Sequence, residues 1–347
     1  MNRNLKAFLY VFPTVAIIIL SSCKPEEKVI ELELVKEKVY GAEDGSLDEI
    51  FGSVRFMAVD KYENVYALDT PFKVVKKFSV DGKLMKVFGN GEGDGPGEFR
   101  SPRSIAVDEQ LNLYVCDLKH HSIVVFDSTG AVIRMQKFNN MYGDVAAVSL
   151  SEVFVLRLRY EADKKLIHKY DFTKENIEES HTEFDEVYSD NNNLKLYNSA
   201  NTGRIFFAKN SLFHTFPYPY IINQYSLSGE LLNSYKREVA FFESPKLKHE
   251  PRGQWYHFPS MVIESGVLND SLLVNYILHT ENEGDEYYTQ YLDLWSLNTD
   301  KYLGISKLGQ RNLAISIECN GKYLYANAVE PYPSVIKYVV KIVENHP

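Results

Sequence analysis

The sequence predicts an all-β chain assembled from repeated groups of four short strands. Three observations lead there. Residues 54–88 recur 48 positions later, so that Ala58-Val59-Asp60 falls on Ala106-Val107-Asp108, Tyr66 on Tyr114, Asp69 on Asp117, Phe78 on Phe126 and Gly82 on Gly130. Within each repeat, apolar stretches of four to seven residues are punctuated by turn residues, the pattern of strands and not of helices. Aromatic residues are abundant, 24 Tyr and 20 Phe, and suit half-buried pleated strands. A fixed period of this length built of strands points to a β-propeller or another repeat architecture, and the strand count gives six four-stranded antiparallel blades.

Residues 1–22 read as an export signal. Arg3 and Lys6 are the basic end, Phe8 to Leu20 is apolar apart from Pro13 and Thr14, and Ser21-Ser22 lead to Cys23. The apolar run is shorter than the about 20 residues of a spanning helix and has signal-peptide anatomy. Leu20-Ser21-Ser22-Cys23 resembles the bacterial lipobox, which implies cleavage before Cys23 and lipid attachment to it. A plain secretory signal and an uncleaved anchor are the alternatives. Lys24 follows where the common inner-membrane retention signal has Asp, so the expected location is the outer membrane, facing either the periplasm or the cell surface. Residues 23–28 form a charged tether, and the propeller occupies residues 29–347.

Removing Arg3 and Lys6 from a chain of formal charge −9 leaves −11. Nucleic-acid binding needs a basic footprint, so that class is excluded. Cys116 and Cys319 lie in strand patterns and read as small packed hydrophobes. No CxxC or His-rich zinc spacing is present.

Val29–Val35 alternates in polarity as a half-buried strand. Blade one is expected at Val54–Asp60, Asn64–Leu68, Val74–Ser79 and Leu84–Phe88, and blade two at Ser104–Asp108, Leu111–Cys116, Ile123–Phe126 and Val132–Lys137. Blade three is Val145–Leu150, Val153–Arg159 and Lys165–Asp171 with a polar outer segment to Phe184. Blade four is read as Lys195–Ser199, Arg204–Ala208, Ile221–Ser226 and Glu230–Tyr235. Blade five is Met261–Glu264, Ser271–Leu278, Thr289–Ser296 and Tyr302–Ile305. Blade six has only Leu313–Glu318, Tyr323–Ala326 and Val335–Val343. It lacks an outer strand, and Val29–Val35 is spare. Pairing the two closes the ring and hides two sheet edges. Seven blades would follow only if 172–200 held a further sheet.

Gly89 to Phe99, then Pro102 and Ile105-Ala106-Val107-Asp108, resembles the linker and first strand of an NHL repeat. Leu113-Tyr114-Val115 with Asp117 fits its second strand, and Ile123 to Phe126 with Gly130 its third. With the lipobox, the chain is similar to six-bladed propeller lipoproteins of Bacteroidetes. The resemblance is close over blades one and two and partial in blade four. It implies fold and gives no activity.

The run GNGEGDGPGEF lacks the following helix of a phosphate cradle. Glu92, Asp94 and Glu98 are hard oxygen ligands, yet calcium wants six to eight oxygens in a defined loop, so the run reads as an inter-blade crossover. Loops joining strands B to C, and D to the next A, emerge on one face of a propeller. The long loops here are all of that kind: 89–103, 117–122, 210–220, 237–260, 280–287 and 328–334. Function concentrates where loops lengthen on a rigid scaffold. HTFPYPY, PRGQWYHFP and EPYP on these loops present aromatic faces suited to sugars or peptides. The candidate ligand-binding residues are Asp117, His120, His121, His214, Tyr218, Arg252, Trp255, Tyr256, His257 and Tyr332. The leading reading is a cell-envelope module binding a glycan, peptide or envelope protein. The alternative is a metal-dependent lactonase- or lyase-like enzyme in which Asp117 and the histidines hold a divalent ion, Ca or Zn, at the channel mouth. No spacing fixes such a geometry, and no catalytic constellation is declared.

Overall fold

The computed structural model describes residues 28–159, 166–174, 202–250, 253–280, 288–309 and 313–343. It is a six-bladed β-propeller. Blade one comprises Val54–Val59, Val65–Asp69, Val74–Phe78 and Leu84–Phe88, and blade two Pro102–Val107, Leu113–Asp117, Ser122–Phe126 and Val132–Lys137, each lettered A to D from the channel outwards. Blade three shows Tyr142–Ser149, Glu152–Arg157 and Ile167–Tyr170 among the described residues. Blade five is Ser260–Leu268, Leu272–His279, Thr289–Ser296 and Lys301–Lys307.

Strand B is buried throughout in blades one and two, because both of its faces pack on neighbouring blades. The two-residue period of a strand divides its side chains cleanly. Leu113 and Val115 join blade one's Tyr66, Leu68 and Phe88, whereas Tyr114 and Cys116 join blade three's Val145, Val153 and Val155. A one-residue slip would exchange the two sets, so the cores fix the register.

Blade six contains Leu313–Asn320, Tyr323–Ala328 and Ser334–Val343, with the N-terminal strand Glu31–Tyr40 as its outermost member. That strand runs antiparallel from Glu31 opposite Val343 to Tyr40 opposite Val335, with a bulge between Lys36 and Lys38. The expected ring closure is therefore present. The strand extends five residues beyond its sequence-predicted end, carrying Tyr40 into a fully buried position.

Blade four differs from expectation. Arg204–Ala208 is its innermost strand, not its second, and Ser211–Phe216 is a strand where a loop was expected. Ile221–Tyr225 and Leu231–Lys236 complete it. The cause is the two-residue connection Lys209-Asn210, with both residues at positive φ (49° and 55°). This geometry matches strand twist but is here built without the glycine that usually announces it. The predicted Lys195–Ser199 strand lies outside the described residues.

Candidate functional site

The landmarks of the 48-residue repeat are structural. Asp108 follows strand A of blade two and accepts from the N–H groups of Gln110 (2.9 Å) and Asn112 (2.8 Å), the Asn112 amide (2.8 Å) and the Tyr114 hydroxyl (2.8 Å). Asp60 repeats this with Tyr62, Asn64 and Tyr66. These Asx turns satisfy amides that the tight A–B connection leaves unpaired. Asp117, a candidate ligand residue, ends strand B and is fully buried. It accepts from the backbone N–H groups of Arg100 (2.7 Å), Ser101 (3.1 Å), Lys119 (3.0 Å) and His120 (3.1 Å). Its counterpart Asp69 accepts from Gly52 N–H and from Lys76 Nζ (2.9 Å). Each aspartate thus ties an incoming crossover to the end of its own blade.

The glycine-rich crossover folds on itself. Asn90 N–H donates to Gly97 O (2.8 Å) and Phe99 N–H to Gly91 O (2.9 Å), delivering Phe99 into the core between blades one and two. Gly89 has φ +92°, and a Cβ there would lie 2.7 Å from the Phe99 ring. The three carboxylates considered for calcium have other partners: Glu92 meets Lys73 (2.8 Å), Asp94 meets Arg100 (2.7 Å), and Glu98 accepts from Gly95 N–H (2.8 Å). Hydrogen bonds from Arg100 and then His120 hold the Asp94 carboxyl well below the usual carboxylate range. His120 Nε2 lies 2.9 Å from Asp94 and Nδ1 3.3 Å from Asp117, so it clamps crossover to blade. His121 is a turn residue at φ 48° whose carbonyl accepts Phe138 N–H (2.8 Å).

His214 is not on a loop. It sits in strand B of blade four, buried, with Nε2 2.7 Å from Thr202 O. Burial lowers its pKa to about 4, partly opposed by the Thr202 bond, so it is neutral at pH 7. Among the described residues no group of three or more His, Cys, Asp or Glu side chains is placed to hold a metal ion.

Tyr218, Trp255, Tyr256 and His257 lie on the connections of blade four. Tyr218, on the B–C loop, stacks on Phe242 at 6.0 Å with rings 2° from parallel and meets Phe258 edge-on at 6.2 Å. Between blades four and five the chain forms a hairpin, Lys246–Glu250 paired with Gly253–His257, as a two-stranded sheet separate from the blades. It carries Trp255, 44% exposed and edge-on to His257 at 6.1 Å, with Tyr256 and His257 half-buried and Leu247 41% exposed. Sequence reasoning took this segment as loop. Tyr332 is half-buried on the B–C loop of blade six. Cys23 and Arg252 lie outside the described residues.

One polar centre escaped the sequence reading. The A strands enclose a cavity of about 340 Å³ running from Asp144, Arg204, Glu264 and Glu318 to the A–B turns at Lys61, Glu109, Lys209 and Asp270. It therefore opens on the face opposite the long loops. Arg204 bridges Asp144 (3.4 Å) and Glu264 (3.0 Å) and lies 4.8 Å from the centre of the Phe56 ring. Asp144 accepts from Ser104 Oγ and from the N–H groups of Val145 (3.0 Å) and Ile205 (2.8 Å). An innermost strand has no neighbour on one side, and Asp144 supplies the missing acceptor. Burial, followed by the Glu264 charge, pushes Glu318 up to about 8 against the pull of Arg204. The available signal was a lone charge inside an apolar strand, as in MVIESGV and AISIECN.

Residues 99–126 match the NHL repeat family. That stretch of blade two is similar to an NHL repeat. The fold of the chain is similar to that of an exported protein from Bacteroides fragilis, at 13% identity and TM-score 0.55, covering 91% of this chain and 96% of that one. A member of the DUF4221 family from Bacteroides vulgatus is similar at 12% identity and TM-score 0.61, covering 91% and 100%. Virginiamycin B lyase from Staphylococcus aureus, in a catalytically inactive form with quinupristin, is similar at 11% identity and TM-score 0.53, covering 89% and 99%. At such identities the likeness is one of fold. No curated protein matches the sequence.

Proposed function

We propose that the protein is an exported, lipid-anchored binding module that takes a glycan, a peptide or an envelope partner on the face carrying the B–C and D–A loops. The observation that carries this reading is the hairpin 246–257. It stands apart from the six blades and keeps Trp255 and Leu247 exposed, while the nearby connections present the Tyr218–Phe242 stack. A half-exposed indole loses water readily when covered, and aromatic anchors dominate binding surfaces. The rest of that face is stiffened by the carboxylate-to-backbone ties at Asp69 and Asp117, so little ordering entropy opposes binding. Lipid on Cys23 would hold the module at the outer membrane, in keeping with the export signal of residues 1–22. Probing immobilised glycans and peptides with mature chain and with a Trp255→Ala/Tyr218→Ala variant tests the reading. Hits retained at equal strength by the double variant would sink it. Palmitate labelling abolished by Cys23→Ser tests the anchor.

A further inference from the structure

The channel cavity takes no part in the loop-face reading and opens on the other side of the ring. At about 340 Å³ it falls in the size range of small-molecule sites. Its walls are the unpaired edges of the inner strands, whose Ala58, Ile105, Ala146 and Ile205 side chains turn away into the inter-blade cores, and its inner end is charged.

We propose that this cavity binds a small organic amine, with the ammonium group seated between Glu264 and Glu318. The sign of the ligand follows from the charges present. Asp144, Glu264 and Glu318 line the inner end against one guanidinium, Arg204. Arg103, with Arg55 near it, lies within electrostatic reach of Arg204 and Asp144 without lining the cavity, so the surplus of negative charge is local to Glu264 and Glu318. The groups facing Glu318 are Glu264 from blade five, Arg204 from blade four and Asp144 from blade three, with the Cys319 thiol beside it. Burial and the Glu264 charge keep a proton on Glu318 at neutral pH, and an arriving ammonium replaces it.

The donor set favours a monocation with N–H groups over a divalent metal. Asp144 already serves Ser104, Val145, Ile205 and Arg204, and Glu264 serves Arg204. Calcium takes six to eight oxygens in a defined cage, and among the described residues no group of three or more His, Cys, Asp or Glu side chains is placed to hold a metal ion. An ammonium needs only three acceptors.

Calorimetry of the full mature chain with 1,4-diaminobutane, in two buffers of different ionisation enthalpy, reads both binding and proton release. One site, release of about one proton at pH 7 and none above pH 9 are expected. Affinity should rise up to tenfold per pH unit between 6 and 8. Glu318→Gln abolishes proton release and weakens binding at least tenfold. Glu264→Gln, which removes the second carboxylate, weakens binding likewise, whereas Trp255→Ala does not change it. Absence of binding by methylamine, 1,4-diaminobutane and glucosamine overturns the proposal. So does binding that Glu318→Gln leaves unchanged, or uptake of acetate or Ca²⁺ in place of the amine.

Discussion

Replacing Glu318 by Gln should alter how stability depends on pH, in a direction the channel geometry fixes. Glu318 carries its proton in the folded protein up to about pH 8, chiefly because burial disfavours its charge. In the unfolded chain it loses the proton at its ordinary 4.5. Between those values the folded state binds more protons, so wild-type stability falls as pH rises and levels off above 8. Each unit is worth roughly 1.4 kcal/mol at full effect. Three units, from pH 5 to 8, give about 4 kcal/mol as a ceiling, reduced to about 2–4 kcal/mol by water entering the cavity. Glutamine resembles the protonated acid in shape and does not titrate. The variant should therefore match wild type near pH 5 and exceed it by that amount at pH 8. Urea unfolding of both proteins at pH 5, 6, 7 and 8 measures the difference. Parallel profiles, or a wild type that gains on the variant as pH rises, would mean that Glu318 is an ionised partner of Arg204 and would refute the reasoning.

Other positions give sharper structural tests. Asp293 is fully buried, 2.5 Å from Arg237 Nη2 and from the Tyr220 hydroxyl; Asp293→Ala removes the carboxylate that Arg237 Nε and Nη2 donate to and should cost about 3–5 kcal/mol in chemical denaturation. Asp117→Ala leaves two backbone N–H groups at the crossover and two at the B–C turn without this acceptor. A loss of about 2–4 kcal/mol is expected, with limited proteolysis opening first within residues 89–101; cleavage elsewhere would argue against the tie.

The parts of the fold legible in sequence were those whose local chemistry repeats. Asp60 and Asp108, Tyr66 and Tyr114, and Asp69 and Asp117 make the same bonds in two blades, so one period reveals both. Ring closure was legible because blade six lacked a strand and Val29–Val35 was spare. Blade four was misread where Lys209-Asn210 turns without glycine, and the error carried His214 from a buried strand to a supposed loop. The hairpin 246–257 was unread because its exposed Trp255 and Leu247 do not alternate against a core. The channel cluster depends on strands from blades three, four, five and six converging, and spacing along the chain carries no trace of that. Asp117 and His120 were singled out for their chemistry, and the structure shows that chemistry committed to holding a loop.

The central claim is that the loop face binds through its exposed aromatics. The most direct measurement is the affinity of the strongest glycan or peptide hit for wild type, for Trp255→Ala and for Lys61→Ala on the opposite face. Trp255→Ala should weaken binding at least tenfold with an unchanged melting temperature, and Lys61→Ala should have no effect. Equal affinity for all three proteins, or binding lost on both faces alike, would contradict the account.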